Sequence, residues 1–302
     1  MKIEILYPEV CNLFGDLANI RFLKKNLPEA VIIETSLKNE PAFVSEKVDL
    51  IYMGTTTEEG IRLAVKALTP YKEKLNQLVA DGQFILLTGN AQDVFLNYVL
   101  SDEPTFMGNE DPKKNVGLGI IDAHCDYHMM GRHNSFYIGK FEEFEVVGFK
   151  SIFGHAVADS TAPEGTGAGA ATVGTGAGAA TAGAISAGVD PVGTAPAGTA
   201  QAGDETVAPA TTGWFETVRG VGSDPKTEGF KVNNLYATCL IGPLLLLNPD
   251  LTKWVIWKMK NPDKSQEKPE LEKITLKYEE AAVNAYKVRL GEMKNEHFDP
   301  NY

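Results

Sequence analysis

Two stretches of this chain gather side chains able to do chemistry. The first is Phe84-Ile85-Leu86-Leu87-Thr88-Gly89-Asn90. Its unbroken apolar run reads as a strand buried on both faces, and Thr88-Gly89-Asn90 as a sharp turn. Apolar residues at Val94, Phe95 and Tyr98 follow at helical spacing. Strand, tight turn and helix in that order lift one side chain above the edge of a parallel sheet, the way a nucleophile is presented for acyl transfer. The group lifted here is the Thr88 hydroxyl. Without a base to activate it, a hydroxyl is a far weaker nucleophile than a thiol.

The second stretch is His124-Cys125-Asp126-Tyr127-His128, with His133 nearby. On a strand, alternation places His124, Asp126 and His128 on one face. Zinc accepts such ligands. Cys125 then points away, and no second Cys/His pair has matching spacing, so a polar loop or edge strand is expected and no metal is assigned. The three cysteines, Cys11, Cys125 and Cys239, are odd in number and widely spaced. That argues against a disulfide framework and for a reducing compartment. Cys239 reads as a small buried residue of a core strand.

The elements that must position these groups alternate. Residues 2–7 read as a strand, and Asp16 as the cap of a helix carrying Leu17, Ile20 and Leu23. Strands are expected at 30–34 and 48–53, and a helix at 58–68. Pro70 opens another helix through Val79, which Asp81-Gly82 ends before the Thr88 strand. Alternating strand and helix implies an open, mostly parallel α/β sheet flanked by helices. After residue 116 the pattern turns to hairpins, with strands at 136–138, 144–149, 214–218, 229–232 and 235–241. A helix over 251–259 follows. A last helix opens at Pro269, with Ile274, Tyr278, Ala282, Ala285 and Val288 on one face.

Residues 157–213 differ in kind. They are dominated by Ala, Gly and Thr, and a nine-residue motif occurs twice in near-identical form, at 166–174 and 175–183. Such side chains bury too little apolar area to offset backbone ordering entropy. A disordered insertion is expected, splitting one domain into 1–156 and 214–302.

With 302 residues, 43% of them hydrophobic, the chain can bury a full core. Its net charge of −12 repels phosphate backbones, so nucleic acid is not an expected partner. Glu4 and the lack of a small-residue cleavage site argue against a signal peptide. Apolar runs such as Leu244–Leu247 are too short to span a membrane, so the expected location is cytoplasmic, with no membrane partner. No cofactor is expected.

Five stretches together resemble a known family. They are Leu13–Ile20, Val48–Gly54, Leu87-Thr88-Gly89-Asn90-Ala91-Gln92, Gly117–Asp122 and Asn234–Pro243. Their order and spacing resemble class I glutamine amidotransferases of the cobyric acid synthase type, with the closest likeness to the small glutaminase subunits of lipid II isoglutaminyl synthase. The resemblance implies a flavodoxin-like fold. It also implies a cysteine nucleophile at the turn, a histidine base, a glycine-rich oxyanion loop, and ammonia passed to a Mur-ligase-like synthetase partner. Set against the family's Cys-Gly-Gly-x-Gln, this chain has Thr88 at the nucleophile position. Against Leu-His-Gly-Pro it has Ile241 at the base position. No shift of register restores either, because no cysteine lies between Cys11 and Cys125 and no histidine between His155 and His297. Threonines fill the oxyanion loop at Gly54-Thr55-Thr56-Thr57, and β-branched residues resist positive φ.

No catalytic residue is therefore assigned. The resemblance leaves Arg132, Gly54, Gly89 and Gln92 as candidate ligand contacts, for a small amide or carboxylate. The expected function is a degenerate glutaminase subunit that scaffolds or regulates a synthetase in cell-wall precursor amidation. Two alternatives stand beside it. One is an active amidotransferase supplying ammonia for peptidoglycan or cobalamin-type amidation. The other is a metal-binding protein built on His124–His133.

Overall fold

The computed structural model describes residues 1–101, 114–159, 209–262 and 267–295. In chain order these form β1 (Lys2–Leu6), α1 (Ala18–Asn26), β2 (Val31–Thr35), α2 (Ala42–Ser45), β3 (Leu50–Met53), α3 (Glu58–Leu68), α4 (Lys72–Ala80) and β4 (Ile85–Thr88). Then come β5 (Leu96–Ser101), β6 (Lys114–Val116), β7 (Ile121–Tyr127), β8 (His133–Phe141), β9 (Phe144–Ile152) and β10 (Gly154–Ala158). After the insertion follow β11 (Thr212–Arg219), β12 (Thr227–Val232), β13 (Leu235–Thr238), α5 (Leu244–Leu247), α6 (Pro249–Lys260) and α7 (Glu279–Lys294).

The main sheet has nine strands in the order β2-β1-β3-β4-β13-β12-β11-β8-β9. Its first five strands run parallel, and the pairings from β13 outward are antiparallel. The expected α/β sheet with flanking helices therefore forms, and the expected hairpins extend it. Side-chain alternation sorts the core into two layers. Ile51, Met53, Ile85 and Leu87 pack with α3 and α4, whereas Leu50, Tyr52 and Leu86 pack with α1 and α6. Burial on both faces explains why these strands read as continuous apolar runs. The carboxyl ends of β1, β3, β4 and β13 lie along one edge of the parallel block, where open α/β sheets place their ligand crevices.

Three expectations need correction. The helix after Thr88 is a 3₁₀ turn, Gly89–Val94, and Tyr98 lies in β5. The carbonyls of Val94, Phe95 and Leu96 accept N–H groups from Leu118 to Ile121 instead of continuing a helix. β5 belongs to a second sheet, β10-β7-β5-β6, which periodicity did not reveal. The last helix starts at Glu279, so Ile274 and Tyr278 precede it; Tyr278 and Val288 are exposed, and Ala282 and Met293 mark its buried side. At the insertion, β10 takes in Val157 and Ala158, and β11 takes in Thr212 and Gly213. Residues 160–208 lie outside the described residues. No helix among the described residues is long and apolar enough to cross a membrane.

Candidate functional site

Thr88 ends β4 with its side chain fully buried. Its backbone is extended, φ −121° and ψ 148°, and the left-handed residue of the turn is Gly89, φ +59°. A Cβ on Gly89 would lie 2.2 Å from Thr55 Oγ1, so only glycine fits this close approach. The Thr88 hydroxyl donates to Asp16 Oδ2 at 2.5 Å and shares a 2.8 Å hydrogen bond with the Tyr52 hydroxyl. Asp16 is fully buried and not a helix cap. Its Oδ2 also accepts Thr55 N at 2.7 Å and Thr55 Oγ1 at 2.9 Å, and its Oδ1 accepts Asn19 Nδ2 at 2.8 Å. Asn19 Nδ2 also donates to the Tyr52 hydroxyl at 3.0 Å, closing the network. Burial holds the Tyr52 phenol well above its ordinary pKa.

The backbone donors around the turn are engaged as well. Thr55 N serves Asp16, Thr56 N donates to Asn90 Oδ1 at 2.9 Å, and Gly89 N donates to Leu240 O at 3.3 Å. No residue from Gly54 to Thr57 has positive φ. Thr57 instead caps α3, its hydroxyl accepting Gly60 N at 3.1 Å. Ile241 is buried and donates its N–H to Phe149 O at 2.9 Å. It offers no base.

A cleft lies beside the turn, bordered by Phe14, Gly89, Asn90, Asp93, Arg132 and Ile241. Its volume is about 30 Å³, room for one water-sized group. Asp93 is 2% exposed, and among the described residues its Oδ1 has no hydrogen-bond partner. Tyr127 donates its hydroxyl to Asp93 Oδ2. Burial pushes the Asp93 carboxyl up to about 7, against the lowering effect of Tyr127 and Gln92. Cys239 also borders the cleft; its Sγ accepts Gln92 Nε2 at 3.0 Å, and burial raises its thiol pKa well above the ordinary value. A thiol so shifted stays protonated and is a poor nucleophile.

No family model matches the sequence. No curated protein matches it. Solved structures similar to it include two glutamine amidotransferases. One crystal structure of a glutamine amidotransferase has a TM-score of 0.44 at 11% identity, covering 85% of this chain and 98% of that one. A glutamine amidotransferase from Thermotoga maritima has a TM-score of 0.42 at 8% identity, covering 96% of this chain and 94% of that one.

Of the four candidate contacts, two border the cleft. Arg132 lies over the Phe153 ring, 4.2 Å from its centroid, and donates to Ser151 Oγ at 3.0 Å. Gly89 forms part of the wall. Gln92 is fully buried and faces Cys239. Gly54 packs against the Cys11–Asp16 loop, where a Cβ would lie 2.9 Å from Cys11 O. His124 and Asp126 share one face of β7, as alternation requires, while Cys125 is buried on the other. His124 stacks on Tyr98 and contacts Asp159, whereas His133 lies in the other sheet beside His155. Among the described residues no group of three His, Cys, Asp or Glu side chains is placed to hold a metal ion.

Sequence reasoning missed Asn19, Tyr52, Asp93 and Tyr127, and gave Asp16 another role. The one available signal was polarity inside apolar runs, since Tyr52 interrupts a buried strand and Asp93 directly precedes Val94-Phe95-Leu96.

Proposed function

We propose that the protein is a glutamine amidotransferase-like subunit that does not hydrolyse glutamine. Its role in this reading is to scaffold or regulate a Mur-ligase-like synthetase that amidates a cell-wall precursor, lipid II. One observation carries the first half: the Thr88 hydroxyl is buried and bonded to Asp16 and Tyr52. The surrounding amides agree with it, because Thr55, Thr56 and Gly89 N–H groups all donate within the protein, leaving an oxyanion without those preorganised donors. The second half rests on the sequence resemblance.

The test is glutamate release from glutamine, measured with and without a Mur-ligase-like partner. The expected result is no turnover in either case. Turnover abolished by Thr88→Ala would defeat the reading and favour a working amidotransferase. The cleft itself holds only a water-sized group, so weak binding of a small amide or carboxylate is expected at its mouth, where Arg132 is exposed. Calorimetric titration with glutamine should show that binding weakened about tenfold by Arg132→Ala, with the melting temperature unchanged.

A further inference from the structure

A second concavity lies between α1 and the edge strand β2, and shares no residue with the cleft beside Thr88. Its floor is apolar: Ile5, Leu17, Ile20 and Ile32. Its volume of about 640 Å³ falls in the range of small-molecule sites, about 300–1,000 Å³.

The rim is cationic, on a chain whose net charge is −12. Arg21, Lys24, Lys25 and Lys277 surround the floor, and Glu34 is the one carboxylate of the lining. Lys24 is committed to the end of α1, where its ammonium donates to Pro28 O at 2.7 Å and Ala30 O at 2.5 Å. That is the ordinary use of a lysine at a helix C-terminus. Arg21, Lys25 and Lys277 are exposed and have no side-chain hydrogen bond or ion pair among the described residues. Lys277 comes from a distant segment, pinned here by its N–H on Asn26 Oδ1 at 2.6 Å. The dipole of α1 does not account for a cation delivered from 251 residues away.

We propose that this groove binds a soluble amphiphilic phosphate. Its apolar body lies on Leu17 and Ile32, and its phosphate is held by Arg21, Lys25 and Lys277. Three cations against one dianionic head complement each other in charge, and the guanidinium fork of Arg21 suits phosphate oxygens. The proposal does not depend on the loss of glutaminase activity. It does place a ligand on the helix whose inward residue, Asn19, belongs to the Thr88 network.

Isothermal titration of the full chain with dodecyl phosphate, below its aggregation concentration, tests this. The expected result is one site with a Kd on the order of 100 µM. The double variant Arg21→Glu/Lys25→Glu should weaken binding at least about tenfold. Leu17→Asp, at a half-buried position, should do the same with an unchanged circular dichroism spectrum. Dodecyl maltoside and inorganic phosphate, each lacking half of the chemistry, should bind far more weakly. Equal affinity for the double variant, or for dodecyl maltoside, overturns the proposal. Binding to phosphatidylglycerol vesicles alone overturns it in favour of a membrane surface.

Discussion

The Thr88 hydroxyl and the Asp16 carboxylate meet at 2.5 Å across 72 residues of sequence. Thr88 thereby ties the end of β4 to the loop before α1. Thr88→Val keeps the shape and removes the hydroxyl, leaving Tyr52 without its partner there and Asp16 Oδ2 with one donor fewer. Unpairing buried polar groups typically costs about 1–3 kcal/mol. Urea denaturation should show a loss of that size, and Thr88→Ser should recover most of it. An unchanged midpoint for Thr88→Val would mean that the bond is not structural.

The same geometry bears on a cysteine placed at position 88. With the backbone extended at Thr88 and its side chain turned toward Asp16, Thr88→Cys buries the new thiol beside a carboxylate. Burial and negative charge both favour the unreactive thiol form. The variant is expected to resist Ellman's reagent until denatured and to release no glutamate from glutamine. Rapid labelling of the native variant would show that the turn presents this position to solvent.

Asp93 should give the protein a pH signature. Its folded-state pKa, about 7, lies above the free carboxyl value of 3.8. Between those values the folded protein holds a proton that the unfolded chain releases. The stabilising contribution is therefore complete below about pH 4 and is lost as pH rises through 7, on the order of a few kcal/mol in all. Asp93→Asn removes this dependence. Melting temperatures at pH 5, 6, 7 and 8 should show the variant gaining on the parent as pH rises; a constant difference would refute the assignment.

Lys150 and Glu228 form an ion pair buried on both sides, with exposures of 1% and 0%. Glu228 Oε1 also accepts Thr238 Oγ1 and Cys239 N, both at 2.9 Å, so the pair braces the strand end that borders the cleft. Lys150→Met strands a buried carboxylate, which typically costs about 3–5 kcal/mol. Adding Glu228→Gln should recover part of that loss, because the amide oxygen keeps Thr238 and Cys239. Denaturant midpoints of the two variants decide it: no recovery would mean that the damage is packing rather than stranded charge.

Local chemistry explains which elements were legible in the sequence. The helix Glu58–Leu68 was read at its true bounds because Thr57 caps it and its apolar residues repeat at helical spacing. The strands of the parallel block were legible because burial on both faces demands unbroken apolar runs. The stretch after Thr88 misled because Val94, Phe95 and Tyr98 fit a helix, yet the carbonyls of Val94, Phe95 and Leu96 found partners in the Leu118–Ile121 segment. The last helix misled because Ile274 and Tyr278 continue its spacing beyond its start.

The sequence by itself determined the alternating core and the absence of a thiol at position 88 and an imidazole at 241, since residue identity and short-range period need no partner. Only the tertiary structure decided what surrounds Thr88. Asp16, Tyr52 and Thr88 lie on three separate segments, and their hydrogen bonds exist only once β1, β3 and β4 lie side by side. Asp93 acquires its shifted carboxyl for the same reason: a pKa follows burial, and burial is a property of the packed chain.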